Sequence, residues 1–343
     1  MSKPLLVVKF GTSAITDKTG KPDEQVINRI ASEISVLHKT HSIVLVSSGA
    51  VGAGKGFIKD YDGSLSKRKA AAAIGNPLLI VLFSEAFARH GIHVAQSLCE
   101  RSHFADRNRF LQLNQTYKEL WQNDIIPIAN ENDVISDREL KFSDNDELAT
   151  LIAVGFGANH LLIATESGGL LDREGVVVNN IPVIDESVMA LVDTKKSSLG
   201  LGGMSSKLTF AKLATRMGIR VTIFGIKINQ GGILEAFNST SGSTFTPQKA
   251  NLSARNKWLA SGGLTTAKIQ LDEGAAKAVK ARKSLLAVGV LKVTGNFDAG
   301  EVVELVNENE EVIAIARSRQ SSKGIDKAVQ KLLVAHADDI VLI

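Results

Sequence analysis

Cys99 is the only cysteine among 343 residues, so no disulfide can close within the chain and a zinc site of four cysteines is impossible. Such usage suits a reducing compartment, and a cytoplasmic location is expected. Cys99 ends the apolar run Ile92 to Leu98, which predicts a buried packing role for it and not a catalytic thiol. Aromatic residues are also scarce, at 5% of the chain, too few for the stacking platforms with which RNA readers hold bases. Charge of one sign does not accumulate either. The formal net charge is +4 with a pI near 9.0, and acidic and basic residues are interspersed, so nucleic-acid binding is not indicated. No run reaches the roughly 18 apolar residues that a membrane span needs, and no membrane partner is expected. Met1 to Pro4 lead straight into Leu5 to Val8, which is too short an apolar core for a secretory leader. Internal repeats and low-complexity tracts are absent.

What is present describes a folded globular chain: 44% hydrophobic and 22% charged residues bury enough apolar surface to offset chain entropy. The length exceeds what one core supports, and two domains are expected. Short apolar runs at Leu5 to Lys9, Ile43 to Ser47, Ile92 to Leu98, Ile125 to Ala129, Leu161 to Ala164 and Val221 to Phe224 read as buried strands. Helical spacing separates them, clearest over Glu24 to His38 and Arg109 to Gln122. Alternating strands and helices predict parallel βαβ units in a three-layer α/β/α sandwich, with ligands bound at the carboxyl ends of the strands. Periodicity fades after about Gly242, and the domain boundary is placed there, giving a first domain over residues 1–257 and a second domain over 265–343. The second reads as a small, mostly β module, with runs at Lys268 to Leu271, Leu285 to Val293, Glu301 to Val306 and Val312 to Ala316 and one helix at Glu273 to Ala281.

Four segments carry candidate chemistry. Lys9, Phe10, Gly11, Thr12 and Ser13 leave the first strand, where an ammonium can reach a phosphate that a bare glycine backbone approaches closely. Ser48 to Gly54 leave the second strand and suggest an adjacent glycine-rich nest. Gly49 to Lys55 also has the G-x-x-x-x-G-K spacing of a nucleotide P-loop, but Gly56 stands where that loop needs a hydroxyl for magnesium. Asn130-Glu131-Asn132-Asp133 and Asp144-Asn145-Asp146 follow the Ile125 to Ala129 strand. At a strand's carboxyl end such groups can hold an amino-acid ammonium and orient lysines, although a merely solvated loop has the same composition. A divalent-metal cage is also conceivable there, yet the spacing lacks the D-x-D-x-D-G pattern of a calcium loop and includes no histidine. Gly200 to Lys207 opens an amphipathic helix whose free amides, with Lys207, form an anion site.

Together these blocks resemble the amino acid kinase family across almost the whole chain, followed by a stretch similar to a PUA module. Within the family the resemblance is to members that phosphorylate the side-chain carboxylate of glutamate. The resemblance implies a catalytic set of Lys9, Lys207, Asp146, Gly11 and Gly49, with Asp146 holding both lysines. It implies glutamate contacts at Ser48, Asn130, Asp133, Asp144 and Asn145. For the nucleotide it implies Lys9, Thr165, Glu166, Leu201, Gly202, Gly203, Met204, Ser205, Ser206 and Lys207. ATP with magnesium is the implied cosubstrate, with the metal held mainly through phosphates and water, so the resemblance implies no protein metal ligand. Further implications are a homo-oligomer, feedback inhibition by proline, and a reductase partner, glutamate-5-semialdehyde dehydrogenase. Thr165 to Gly175 departs from the family's usual nucleotide loop, and Arg319 to Ala335 is shorter than its norm. Three alternatives stay open: a related kinase acting on aspartate or acetylglutamate, an RNA-binding PUA protein, and a catalytically inactive amino-acid sensor.

Overall fold

The computed structural model describes residues 3–17, 19–135, 145–192, 203–227, 231–248, 267–297, 299–300, 302–326, 328–329 and 331–342. The chain forms two compact units, one of residues 1–101 and 111–249, the other of residues 102–110 and 250–343.

In the larger unit eight strands form one sheet in the order β3-β4-β2-β1-β5-β7-β8-β6. They are β1 (Leu5–Phe10), β2 (Ser42–Ser47), β3 (Val94–Cys99), β4 (Ile126–Glu131), β5 (His160–Ala164), β6 (Asn180–Ile181), β7 (Arg220–Phe224) and β8 (Ser243–Phe245). All pairings are parallel except that β8 runs antiparallel to β7. Helices α1 (Thr12–Ile15), α2 (Glu24–His38), α3 (Ala50–Gly54), α4 (Leu65–Ala88), α7 (Asn145–Phe156), α8 (Glu186–Met189), α9 (Met204–Arg216) and α10 (Ile233–Phe237) fill the connections. Between β3 and β4 the chain forms α5 (Ser102–Ala105), whose residues group with the other unit, and α6 (Arg107–Gln122), whose residues from Leu111 on group with this one.

Strand alternation on β1 decides which way each side chain faces. Leu6, Val8 and Phe10 enter a core with Ile27, Ile30 and Ile34 of α2, Phe83 and Phe87 of α4, and Ile233 of α10. Val7 and Lys9 therefore face the opposite layer, where α7 packs on β1 and against α9. This is the three-layer sandwich the patterning predicts. Asp23 starts α2 by accepting the amides of Gln25 and Val26 at 3.0 and 3.2 Å, the N-cap expected of that residue type.

Ser243–Phe245, where the sequence shows little strand periodicity, is strand β8 of the main sheet; three residues are too few for their periodicity to register. The limits at residues 257 and 265 lie outside the described residues. Helix α4 is long and apolar enough, by length and composition, to cross a membrane. It escapes a search for unbroken apolar runs because Gly75, Asn76 and Pro77 interrupt it. Its apolar character serves packing on one side, since Ala71, Ala72, Gly75, Leu79, Phe83 and Phe87 are buried.

The smaller unit has a five-stranded sheet, β11-β9-β12-β13-β15, and a two-stranded ribbon, β10 with β14. These strands are β9 (Lys268–Leu271), β10 (Leu285–Leu286), β11 (Val290–Thr294), β12 (Val302–Val306), β13 (Val312–Arg317), β14 (Leu333–Ala335) and β15 (Ile340–Leu342), with helix α11 (Glu273–Lys280). The run expected at Leu285 to Val293 is broken by a short 3₁₀ turn at Ala287–Gly289. A Cβ on Gly289 would lie 2.4 Å from Ala275 Cβ, so only glycine lets this turn lie against α11. Ile269, Leu271, Val279, Val303, Leu305 and Ala314 fill the core.

One buried histidine in the larger unit has a stability consequence. His160 on β5 is 4% exposed, and its Nε2 lies 2.9 Å from Thr222 Oγ1. Burial, reinforced by the charge of Arg220, pulls its pKa down to about 3, so the folded state holds it neutral. The unfolded state binds its proton below about 6.5. His160 therefore contributes stability above that pH, and the contribution fades as pH falls towards 3, with a slope of up to about 1.4 kcal/mol per unit. Denaturant titrations between pH 7 and 4 are expected to show this slope in the wild type and not in His160→Gln. An unchanged slope in the variant would mean that other groups carry the acid sensitivity.

Candidate active site

The polar cluster sits where β1 and β2 end and α7 and α9 begin. Lys9, the fifth residue of β1, points into the α7 and α9 layer. Its Nζ lies 2.6 Å from Asp146 Oδ1, while Lys207 Nζ donates to Asp146 Oδ2 at 2.9 Å. Asp146 has no exposed surface, and Lys9 and Lys207 are 4% and 7% exposed. Burial pushes the Asp146 carboxyl up, but the two ammonium groups outweigh that effect and hold it below its ordinary value. These three groups by themselves sum to one positive charge. Lys207 lies in the first turn of α9, where a cation opposes the helix dipole; the bond to Asp146 offsets that cost.

Gly11 follows β1 closely enough that a Cβ there would lie 3.5 Å from Lys9 Nζ. Gly49 has φ +96°, a left-handed conformation that glycine adopts without strain, and it turns the chain from β2 into α3. Of the glycines expected in the adjacent nest, Gly54 is committed to helix packing, together with Gly75 of α4. A Cβ on Gly54 would lie 1.9 Å from Ala71 O, and one on Gly75 would lie 1.7 Å from Ala50 O. Those two glycines let α3 and α4 touch backbone to backbone. Close approach to a phosphate and close approach to a helix make the same demand on sequence, which is why the composition did not separate them.

Beside the charged triad lies a chain of amides. Asn130 and Glu131 are the last residues of β4, both buried, and not loop residues as the sequence reading placed them; polar side chains at a strand end carry no apolar signal. Asn145 Nδ2 donates to Ser48 Oγ at 2.8 Å, to Asn130 Oδ1 at 3.0 Å and to Ser47 O at 3.1 Å. Asn130 Nδ2 in turn donates to Asn76 Oδ1 at 2.8 Å. Asp133 lies in the turn after β4, half-buried. Asp144, Leu201 and Gly202 lie outside the described residues. Thus Lys9, Lys207, Asp146 and Gly11 come together, and Ser48, Asn130 and Asn145 come together next to them.

Of the residues expected at the nucleotide, Gly203 precedes α9 and Met204, Ser205 and Ser206 form its first turn. Thr165 follows β5 and gives its amide to Phe224 O at 2.8 Å. Glu166 is exposed and pairs with Lys227 at 3.0 Å. The atypical segment after it folds into a turn in which Asp172 accepts the amides of Glu174 and Val176, each at 2.9 Å. Sequence reading missed two members of this region. Asn76 is a lone amide inside an apolar helix, and that isolation was the available signal. Glu147, beside Asp146, is buried and bound to Arg101 at 2.7 Å, anchoring the first turn of α7 to the end of β3.

Among the described residues no three acidic, histidine or cysteine side chains converge to hold a metal ion, and the Asp146 carboxylate is occupied by two lysines. This donor set does not fit a resident metal.

The amino acid kinase family profile matches residues 4–225 and the PUA domain profile residues 267–338. Glutamate 5-kinase of Thermoanaerobacter sp. (strain X514) is 32% identical over 362 residues, covering 98% of this chain and 97% of its own. Glutamate 5-kinase of Escherichia coli O1:K1 is 35% identical over 346 residues, covering 98% and 93%. Among solved structures, the carbamate kinase of Giardia superposes with a TM-score of 0.52 over 72% of this chain and 100% of its own, at 18% identity, a likeness of fold.

Proposed function

The chain belongs to the amino acid kinase family, with a PUA domain after the kinase domain, and on that premise we propose that it is an ATP-dependent kinase of the L-glutamate γ-carboxylate. The product is L-glutamyl 5-phosphate, at the first step of proline biosynthesis. The observation that carries this reading is similarity to glutamate 5-kinases through both domains, over 98% of the chain.

A carboxylate oxygen attacks the γ-phosphorus of ATP, the new O–P bond forms, and the bond to the β-phosphate oxygen breaks to release ADP. The γ-carboxylate is already ionised at pH 7, so no general base is needed and the work is positioning and charge stabilisation. Lys9 and Lys207 donate hydrogen bonds to the transferred phosphoryl group, Asp146 fixes both ammonium groups, and Gly11 and Gly49 offer backbone amides. Ser48, Asn130, Asp133, Asp144 and Asn145 hold glutamate. Thr165, Glu166 and the segment Leu201 to Lys207 hold the nucleotide. Magnesium enters with the ATP phosphates as part of the substrate, and no step is assigned to a protein-held metal.

Incubation with ATP, magnesium, hydroxylamine and one candidate acid traps an acyl phosphate as a hydroxamate. Product from glutamate, and not from aspartate or acetylglutamate, is expected; the reverse would make the chain a kinase of another acid. The labile product calls for a reductase, glutamate-5-semialdehyde dehydrogenase, as functional partner, and a cytoplasmic location follows from that metabolism. A homo-oligomer is supported by the exposed apolar side chains Leu78 and Val81 on α4, 39% and 52% exposed among the described residues. Light scattering that gave the 36.6 kDa of one chain would rule it out.

Proline shares the α-carboxylate and α-nitrogen of glutamate and lacks the reactive carboxylate, so the glutamate pocket accepts it as a competitor. Millimolar proline is expected to raise the apparent KM for glutamate and leave kcat unchanged. Inhibition that persists at saturating glutamate would put proline at a separate site.

A further inference from the structure

We infer that Asn76 is a positioning residue for the amino-acid substrate, acting through Asn130 to fix which end of the Asn145 amide faces the ligand. The inference rests on the glutamate kinase reading given above.

Amide orientation in such a chain is set wherever one member meets a group of fixed polarity. Asn130 meets one: its side-chain oxygen lies 2.9 Å from the backbone N–H of Glu131, which can only donate. The Asn130 oxygen is therefore pinned there, and its NH₂ faces Asn76, whose nearest atom, at 2.8 Å, must be an oxygen. The same pinned oxygen receives the Asn145 NH₂ at 3.0 Å, and the Ser47 carbonyl, which can only accept, receives it at 3.1 Å. Three amides thus point the same way. The chain starts at Asn76 on α4, crosses the end of β4 and terminates at Asn145 on α7.

The terminal atom is what matters. Asn145 Oδ1 is buried and has no hydrogen-bond partner among the described residues, a condition costly enough to call for a donor. It lies one residue from Asp146, on the amide that binds Ser48 Oγ at 2.8 Å. A glutamate α-ammonium is a donor of the required sign. At the opposite end the same polarity leaves Asn76 Nδ2 as the atom with no partner among the described residues; Asn76 is 5% exposed. Without the Asn76 oxygen, Asn130 loses the acceptor for its NH₂ and is held only by the Glu131 amide. The Asn145 amide then has one firmly placed acceptor, the Ser47 carbonyl at 3.1 Å, in place of two to distinguish its ends.

Kinetics of the full chain test this. Asn76→Ala removes the acceptor with a residue that favours helix, and it is expected to raise KM for glutamate about tenfold with KM for ATP unchanged. It is also expected to narrow the preference for glutamate over glutarate, its deamino analogue, as competing ligand, because the lost contact is the one made by the ammonium. A residue that merely supported the fold would not move that preference. Asn76→Asp restores an acceptor to Asn130 in either protonation state, and it should recover most of the loss. If the alanine variant does not fold, Asn76→Leu, which fills the space, takes its place with the same expected readings. An unchanged KM and glutarate discrimination in a folded variant would overturn the inference. Absence of glutamate-dependent turnover in the wild type would instead overturn the reading it rests on.

Discussion

Replacing Lys207 with alanine is expected to lower kcat by a factor of about 10² to 10³, with little change in KM for glutamate. The loss corresponds to about 3 to 4 kcal/mol, the usual cost of removing one preorganised donor from developing charge. Lys207 is buried, bound to Asp146 at 2.9 Å, and held in the first turn of α9, so its ammonium is in place before the reaction begins. Lys9→Ala should behave alike, and the double variant should lose much less than the product of the two single losses, since both lysines share one carboxylate. Lys207→Arg should recover little activity, because a planar guanidinium does not fit a pocket shaped for a compact ammonium. Steady-state rates over a matrix of ATP and glutamate concentrations separate kcat from the two KM values. Near-normal turnover in either single variant would remove that lysine from the phosphoryl-transfer machinery.

How far the sequence foretells this site depends on the scale of the feature. Lys9 is legible because a strand end followed by glycine is a local pattern, and the strands on either side of it are buried apolar runs. The pairing of Lys9 and Lys207 through Asp146 is not local. Residue 146 is separated from its partners by most of the sheet, and only the parallel topology brings the starts of α7 and α9 over the end of β1. Family resemblance supplied that link where periodicity could not. Asn76 shows the opposite case: a single amide in an apolar helix looks like a tolerated exception until its neighbours on β4 and α7 are in place. The glycines of α3 show a third, in which one residue type answers two physical demands and only packing tells them apart. In the smaller unit, β14 and β15 went unread because strands of three residues are shorter than the window over which alternation registers.

Asp146→Asn tests the charge balance on which the site rests. The substitution keeps size and shape but deprives Lys9 and Lys207, 4% and 7% exposed, of the carboxylate that both bind. Breaking a buried ion pair from one side costs about 3 to 5 kcal/mol, which for a unit of this size lowers Tm by roughly 10 °C. The cost depends on pH in a defined direction. Although burial opposes it, the two lysines hold the Asp146 carboxyl below its ordinary value of 3.8, so its contribution is complete above about pH 4. It is lost as pH falls from there through the depressed folded value. The stability gap between wild type and variant should therefore be wide and constant from pH 7 to 5, then close on further acidification, because a protonated Asp146 and an asparagine are electrostatically alike. Turnover should fall at least as far as in Lys207→Ala, since one change disturbs both donors. Equal stability of the two proteins at pH 7, or a gap that stayed constant into the acid range, would show that Asp146 does not hold the lysines by charge.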